Sequence, residues 1–136
     1  MKMGFIDFSE LNEYTNEIIQ KFNVKTTGVS ALASSLSGGN LQKFVVGREI
    51  GQNPSLFIVN QPTWVVDALS AANIRQAIVD IANTGAAIIL ISQDLDEILE
   101  ISNKVAFLTN GKLSIPTNTI DIKTDEIGAI MGGISD

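Results

Sequence analysis

Cysteine and histidine are both missing from this 136-residue chain. Without cysteine there is no disulfide framework, no thiolate zinc site and no thiol nucleophile. Without histidine there is no imidazole metal ligand, and mechanisms that use a histidine base or pH sensor are excluded. Positive charge is also scarce, since nine basic against fifteen acidic residues leave a net charge of −6. That balance argues against a nucleic-acid-binding surface, although it leaves room for a local phosphate site.

Long apolar runs are missing as well. The longest strongly apolar run, residues 86–91, falls far short of the ~20 residues that span a bilayer. Asp7 interrupts the first residues before the apolar stretch of a signal peptide can form. We therefore expect a cytoplasmic protein that can still be peripheral on the inner face of the cell membrane. With 45% apolar and 18% charged residues, the composition predicts one globular domain with one core.

Apolar residues at helical spacing predict helices with one buried face each. The first helix follows a capping box at Asp7, and residues 24–35 form a connector. The second helix begins near Gly38, the third runs from about Ser70 to Gly85, and further helices open near residues 94 and 124. The residues assigned to buried faces are Phe8, Leu11, Ile18, Ile19 and Phe22, then Leu41, Phe44 and Val45, then Ile74, Ile78, Ile81 and Ala82.

Short apolar runs between these helices predict strands. Residues 56–59 and 87–91 are typical of strands buried on both faces, and residues 105–108 predict a third strand. Asn110-Gly111 predicts a two-residue hairpin turn into residues 112–115. Strands separated by helices of about a dozen residues indicate an α/β fold, with a small, mainly parallel sheet and flanking helices.

The most informative stretch is Leu36-Ser37-Gly38-Gly39-Asn40-Leu41-Gln42-Lys43. A serine and two glycines at a helix start are suited to an anion, because the hydroxyl and the free backbone N–H groups point the same way. The glycines also allow close approach of the backbone. The alternative is an ordinary loop in which Ser37 is only the helix N-cap.

Polar residues also follow two of the predicted strands. Asn60-Gln61-Pro62-Thr63, with Asp67 beyond, follows the first, and Ser92-Gln93-Asp94 follows the second. The carboxyl ends of parallel strands form the usual ligand-binding edge of an open α/β sheet. Capping of the strand ends is the alternative for each stretch.

Together, in this order and at this spacing, these motifs resemble the C-terminal part of an ATP-binding-cassette (ABC) transporter nucleotide-binding domain. Ser37, Gly38, Gly39 and Gln42 match the signature segment, and the spelling of residues 36–43 is similar to that of sugar and nucleoside importers. Residues 56–61 resemble the Walker B strand, 63–67 the D-loop with Asp67, and 92–94 the switch region. The Gln-Pro-Thr-Trp spelling resembles the second cassette of tandem ATPases.

Several parts of the family pattern are altered. The resemblance implies Asp-Glu at the end of the Walker B strand and a switch histidine, but this chain has Asn60, Gln61 and Gln93 there. The chain contains no phosphate-loop motif. The resemblance therefore implies a partial P-loop NTPase-like domain that lacks the phosphate-loop strand and the N-terminal β subdomain. We expect no catalytic residue, no metal site and no ATP hydrolysis by the chain alone.

The resemblance implies one partial cassette, with a helical piece (1–35), an α/β core from signature to switch region (36–115) and a C-terminal tail (116–136). It implies a subunit fragment of a sugar or nucleoside importer that works with an intact cassette and with membrane subunits. ATP and Mg²⁺ are then expected only in a composite site, which the signature of this chain completes on the partner cassette. The alternative is a scaffold domain without a nucleotide role.

Other features have plainer interpretations. We expect Lys43 and Arg48 to be solvated rather than to add positive potential near a phosphate. We expect Trp64 to cover its own loop rather than to contact a partner cassette, and Asp94, Asp96 and Glu97 to serve a helix start rather than a metal. If the phosphate-loop strand is missing, apolar strand edges are exposed, which predicts a homo-oligomer with contacts at residues 86–91 and 104–109.

Overall fold

The computed structural model describes residues 6–122 of the chain. They form two compact units, which divide between Ile91 and Ser92. The first unit contains three long helices and a parallel pair of strands, and the second contains a short helix and four short strands. Within residues 6–122, no helix combines the length and the apolarity needed to cross a membrane. The last predicted helix, near residues 124–131, lies outside the described residues.

Helix α1 (Phe8–Lys21) begins as the sequence predicts. The Asp7 side chain accepts hydrogen bonds from the backbone N–H groups of Ser9 and Glu10 at 3.0 and 3.3 Å, which satisfies two of the free donors at the helix start. The buried face is shorter than predicted, however. Ile18 and Phe22 are buried, whereas Phe8 and Leu11 are 69% and 46% exposed. Packing of α1 against α2 therefore begins at Tyr14, whose hydroxyl donates to the Arg48 carbonyl at 2.8 Å, and not at Phe8 or Leu11.

Helix α2 (Gly38–Ile50) follows a 3-10 turn at Ala33–Ser35. The predicted buried face of Leu41, Phe44 and Val45 is wrong. The buried residues are Lys43, Val46, Gly47 and Ile50, while Leu41 and Val45 are 38% and 37% exposed.

Gly47 accounts for this rotation of the buried face. A side chain on Gly47 would meet the Phe22 ring at 2.5 Å, so the glycine allows α1 and α2 to approach closely. The face of α2 that carries the glycine is consequently the one that packs against α1.

Strands β1 (Leu56–Asn60) and β2 (Ala87–Ile91) form a two-stranded parallel sheet, with Leu56 opposite Ala87 and Asn60 opposite Ile91. The prediction that these strands are buried on both faces is wrong. Alternate residues of β1 are buried and exposed, and four apolar residues lie half-exposed on one face: Leu56, Ile58, Ile89 and Ile91. We call these four residues the exposed sheet face.

Helix α3 (Ala68–Asn83) connects the two parallel strands and packs against β2 and α2. Three predicted core residues, Ile74, Ile78 and Ile81, are buried, and Ala77 joins them in place of the exposed Ala82. The helix ends just before Gly85, whose φ of +102° favours glycine.

The second unit begins with α4 (Leu95–Ile101), where the Asp94 side chain accepts from the Glu97 N–H at 3.1 Å. This confirms the capping interpretation for Asp94. Glu97 itself is only 1% exposed, and its carboxylate oxygens have no hydrogen-bond partner among the described residues.

The predicted third strand is divided in two. Strand β3 (Lys104–Val105) pairs antiparallel with β6 (Thr117–Asn118), and β4 (Leu108–Thr109) pairs with β5 (Lys112–Leu113). The second pair is the predicted hairpin, since Asn110 and Gly111 both have positive φ, as a type I′ turn requires. Parallel pairing among residues 6–122 is thus confined to β1 and β2.

Candidate functional site

The start of α2 has free donors and no competing negative charge in its first turn. Ser37 occupies the N-cap position with extended backbone, but its side chain makes no capping hydrogen bond. The first turn of a helix leaves backbone N–H groups unpaired, and the helix dipole places partial positive charge there. No acidic residue lies in this turn of α2. Capping therefore does not account for the Ser37 hydroxyl, and the segment is suited to a phosphate group.

An open pocket surrounds this helix start. It is lined by the signature residues Ser37, Gly38, Gly39 and Asn40, by Lys25 and Lys43, and by Val65, Val66 and Asp67. The structure thus brings the predicted signature residues Ser37, Gly38 and Gly39 and the predicted D-loop residue Asp67 to one pocket, whereas the predicted Gln42 does not line it.

Asn40 links the signature segment to the connector that precedes it. Its Oδ1 accepts from the backbone N–H of Lys25 at 2.9 Å, and its Nδ2 donates to Ser37 Oγ at 2.9 Å. One side chain therefore contacts both the connector and the signature serine. The sequence analysis did not assign this role to Asn40.

Lys43 contacts Asn23, the residue just before the connector, and the expectation that Lys43 is solvated is wrong. The side chain is 5% exposed, and its Nζ donates to the backbone carbonyl of Asn23 at 2.9 Å. Asn23 has a φ of +49° just beyond the end of α1, so its carbonyl belongs to a tight chain reversal. Lys43 fastens α2 to this reversal and places positive charge beside the pocket. Arg48, in contrast, is half-exposed and pairs with Glu49.

The loop after β1, residues 61–67, is held against the start of α2. The Gln42 side chain donates from Nε2 to the carbonyls of Gln61 and Pro62, both at 3.1 Å. Gln42 was predicted as a nucleotide-binding residue of the signature; the structure gives its amide this second use within the chain.

Gly39 allows the closest contact between this loop and α2. A Cβ at residue 39 would lie 2.6 Å from the Val65 carbonyl oxygen, a separation that real Cβ atoms do not show. Val65 has a φ of +60°, a conformation that a β-branched residue adopts only under strain. Glycine at position 39 is therefore required by the packing of the loop against α2. Trp64 is 71% exposed, so the expectation that it covers the loop is wrong.

Asp67 is the N-cap of α3. Its carboxylate accepts from the Ser70 N–H at 2.9 Å and from the Ser70 hydroxyl at 2.7 Å. These hydrogen bonds, the hydroxyl bond foremost, lower the pKa of Asp67 below its ordinary value of 3.8. The residue therefore carries its charge at neutral pH.

The residues at the Walker-B-like positions do not fit Mg²⁺. Asn60 ends β1 with its side chain exposed, and the backbone N–H of Gln61 donates to the Ile91 carbonyl at 2.8 Å. Both side chains are neutral amides, whereas Mg²⁺ is held by carboxylates and phosphates. Within residues 6–122, no cluster of three acidic, histidine or cysteine residues could hold a metal ion. Gln93 is exposed and belongs to the second unit.

The architecture is that of an ATP-binding cassette. A dimeric ATP-binding cassette in a post-hydrolysis state, bound to ADP and Pi, matches with a TM-score of 0.74 at 19% identity, over 86% of this chain and 50% of that one. The ATP-binding subunit of an ABC transporter matches with a TM-score of 0.71 at 19% identity, over 95% of this chain and 51% of that one. These likenesses establish the fold.

Sequence relatives then define the family more closely. The nucleoside import ATP-binding protein NupA of Lactococcus lactis is 36% identical over 132 residues, 97% of this chain and 26% of that protein. The glucose import ATP-binding protein TsgD13 of Haloferax volcanii is 36% identical over 96% of this chain and 24% of its own length. The galactose/methyl galactoside import ATP-binding protein MglA of Escherichia coli is 34% identical over 90% of this chain and 24% of its own length.

No protein-family model matches the chain. Over 90–97% of its length the chain is nevertheless similar to ABC ATPases, and the relatives named above are ATP-binding proteins of nucleoside and sugar import systems. The predicted resemblance is thereby confirmed. The chain spans only 24–26% of the length of these three relatives.

Proposed function

We propose that the chain is the non-hydrolytic, signature-bearing part of the ATP-binding subunit of a sugar or nucleoside importer. In this role Ser37, Gly38 and Gly39 complete an ATP site whose phosphate-binding loop belongs to a partner cassette. One observation carries the proposal: the start of α2 combines a serine hydroxyl not used for capping, unpaired N–H groups and an open pocket. Those are the groups that hold a phosphate at a helix start.

The role assigned to this chain is to bind the phosphates of ATP and to close the composite site. The hydroxyl and the N–H groups at the start of α2 would donate hydrogen bonds to phosphate oxygens, and Lys25 and Lys43 would add positive potential. Gln61 stands where the family resemblance implies a carboxylate base, and an amide cannot take a proton from water. Gln61 therefore supplies no base for hydrolysis at that position.

We place the assembled chain in the cytoplasm, peripheral to the membrane subunits of the importer. The names of the relatives support an import role, since each describes an ATP-binding protein of an import system. The domain is proposed to act as one partial cassette.

Association with an intact cassette tests the proposal. The full chain is mixed with a cassette that has its phosphate loop and binds ATP without hydrolysing it, and binding is measured with ATP, with ADP and without nucleotide. We expect binding that requires ATP. Ser37→Ala should weaken it by roughly 1.5–3 kcal/mol, the value of a hydrogen bond to a charged group. Ser35→Ala is the matched control, because the Ser35 hydroxyl donates locally to the Leu32 carbonyl.

The scaffold alternative gives a different result. A scaffold domain binds the cassette equally with and without ATP, and it is indifferent to Ser37→Ala. The exposed sheet face favours this second candidate, since Ile58 and Ile89 leave apolar surface for a protein partner. The nucleotide dependence of binding separates the two functions.

The same face supports the proposed homo-oligomer. The strand β2 pairs only with β1 among the described residues, so its other edge is open, and Ile89 and Ile91 are 49% and 50% exposed. We propose that a second copy of the chain covers this region. Ile89→Lys should then shift sedimentation towards the monomer, with Ile120→Lys, at another exposed isoleucine, as the control. A wild-type chain that stays monomeric at high concentration would contradict the oligomer.

A further inference from the structure

The side-chain amide of Asn40 has only one possible orientation. Its Oδ1 lies 2.9 Å from the backbone nitrogen of Lys25, which is a donor and requires an acceptor. The Nδ2 group must therefore face Ser37 Oγ, also at 2.9 Å. The backbone of the connector thus fixes which end of the amide faces the signature serine.

This orientation determines what the Ser37 hydroxyl can do. A hydroxyl oxygen that accepts an N–H turns its own hydrogen away from that donor. Among residues 6–122 the Ser37 hydroxyl accepts this one bond and donates none, so its hydrogen is not committed to another group of the chain. The oxygens of an ionised phosphate only accept hydrogen bonds, so a serine presented as a donor is the form that a phosphate requires.

We propose that Asn40 is a positioning residue that holds the Ser37 hydroxyl as a hydrogen-bond donor towards the phosphate. The inference rests on the proposed function, because it assigns a role within the same composite site. This role of Asn40 also gives the connector a part in nucleotide recognition. The backbone at the start of the connector is bonded to α2 on both sides of Val24, since Lys43 Nζ donates to the Asn23 carbonyl and Asn40 Oδ1 accepts from the Lys25 N–H.

Two substitutions at Asn40 separate a reversed hydrogen bond to Ser37 from the loss of both hydrogen bonds. Asn40→Asp keeps an oxygen for the Lys25 N–H but presents a second oxygen to Ser37, so the hydroxyl must donate to the aspartate and turn away from the phosphate. Asn40→Ala removes both hydrogen bonds and adds no charge. Asn73→Ala, at an exposed asparagine of α3, is the control.

The test is a double-mutant cycle on ATP-dependent binding of the full chain to the intact, hydrolysis-deficient cassette. Each Asn40 variant is measured with Ser37 present and in the Ser37→Ala background, with ATP and with ADP. With Ser37 present, Asn40→Ala should weaken ATP-dependent binding by at least about threefold, because hydrogen-bonded neighbours are energetically coupled. In the Ser37→Ala background, the same substitution should weaken it by less than about twofold. Asn40→Asp should weaken it more, with only its charge effect remaining in the Ser37→Ala background.

Urea denaturation of every variant distinguishes loss of positioning from loss of folding. If Asn40→Ala does not fold, Asn40→Asp keeps the contact with the connector and decides the question. Equal effects in both serine backgrounds, or no effect, would overturn the inference while leaving the proposed function intact. If Ser37→Ala itself does not weaken ATP-dependent binding, the proposed function is wrong and the role of Asn40 falls with it.

Discussion

Replacing Gly39 by alanine tests how the loop after β1 is packed against α2. The added Cβ would lie 2.6 Å from the Val65 carbonyl oxygen and 3.8 Å from the Val66 Cα. Both are backbone atoms, which cannot rotate away as the end of a flexible side chain can. The loop is also held by the Gln42 side chain at the Gln61 and Pro62 carbonyls. The substitution must therefore displace either the loop or the first turn of α2.

Gly38→Ala supplies the matched comparison. Its Cβ would approach the Val65 side chain at 3.9 Å, an ordinary contact, and it lies in the same first turn of α2. Both substitutions gain the same helix propensity, up to about 1 kcal/mol. The difference between the two variants therefore isolates the clash. Overpacking of this kind typically costs about 1–3 kcal/mol, and we expect Gly39→Ala to be less stable than Gly38→Ala by that amount.

Urea denaturation followed by circular dichroism measures this difference. The midpoint should fall for Gly39→Ala and stay the same or rise for Gly38→Ala, with a similar slope for both. Equal free energies of unfolding for the two variants would refute the close packing of the loop against Gly39. A lower slope for Gly39→Ala alone would show instead that the native state has loosened.

Four further predictions concern the same region. Gln42→Leu removes the two hydrogen bonds to the loop carbonyls and should lower the free energy of unfolding by about 1–3 kcal/mol in urea; an unchanged midpoint would contradict this. The pKa of Asp67 is lowered in the folded state, so its contribution to stability is full above pH 3.8 and is lost as the pH falls through the lowered pKa; Asp67→Asn should flatten this part of the thermal-unfolding profile, and a parallel profile would count against it. Asn60→Asp combined with Gln61→Glu should still release no phosphate from ATP, because the chain has no phosphate-loop motif, and measurable turnover would refute this. The chain alone should bind Mg-ATP no more tightly than about 1 mM by calorimetry, since the start of α2 offers only a few contacts, and micromolar binding would disprove it.

The sequence predicts the order of the helices and strands well where helix caps and turns mark their ends. Asp7 and Asp94 cap helices as predicted, and Asn110-Gly111 makes the hairpin, because caps and turns depend on neighbours along the chain. These features need no tertiary contact to be recognised. The signature segment was found for a similar reason, since its serine and glycines are adjacent.

Burial was predicted less well, because it depends on what lies across from each face. The apolar run of β1 is compatible with burial on both faces, but among the described residues one face remains exposed at Ile58. Lys43 counts as polar in any periodic pattern, yet it is buried because the Asn23 carbonyl, just before the connector, accepts from its Nζ. The buried face of α2 is set by the contact of Gly47 with Phe22.

Within the candidate site, the residue types were predictable and their mutual contacts were not. The bonds of Asn40 to Lys25 and Ser37 span the connector, and those of Gln42 reach a loop nearly twenty residues away. Such pairings follow from the packing of α2 between two segments. The sequence feature that accompanies these contacts is a cluster of polar side chains on the first two turns of α2, and it does not identify their partners.

The most direct test of the account is the nucleotide dependence of binding between this chain and an intact, hydrolysis-deficient cassette, measured for the wild type and for Ser37→Ala. We predict binding with ATP and little binding with ADP or without nucleotide. Ser37→Ala should weaken the ATP-dependent binding by about 10- to 150-fold, while Ser35→Ala leaves it unchanged. Binding that is equal with and without ATP, or that is unaffected by Ser37→Ala, would contradict the central claim that the start of α2 completes a nucleotide site on a partner.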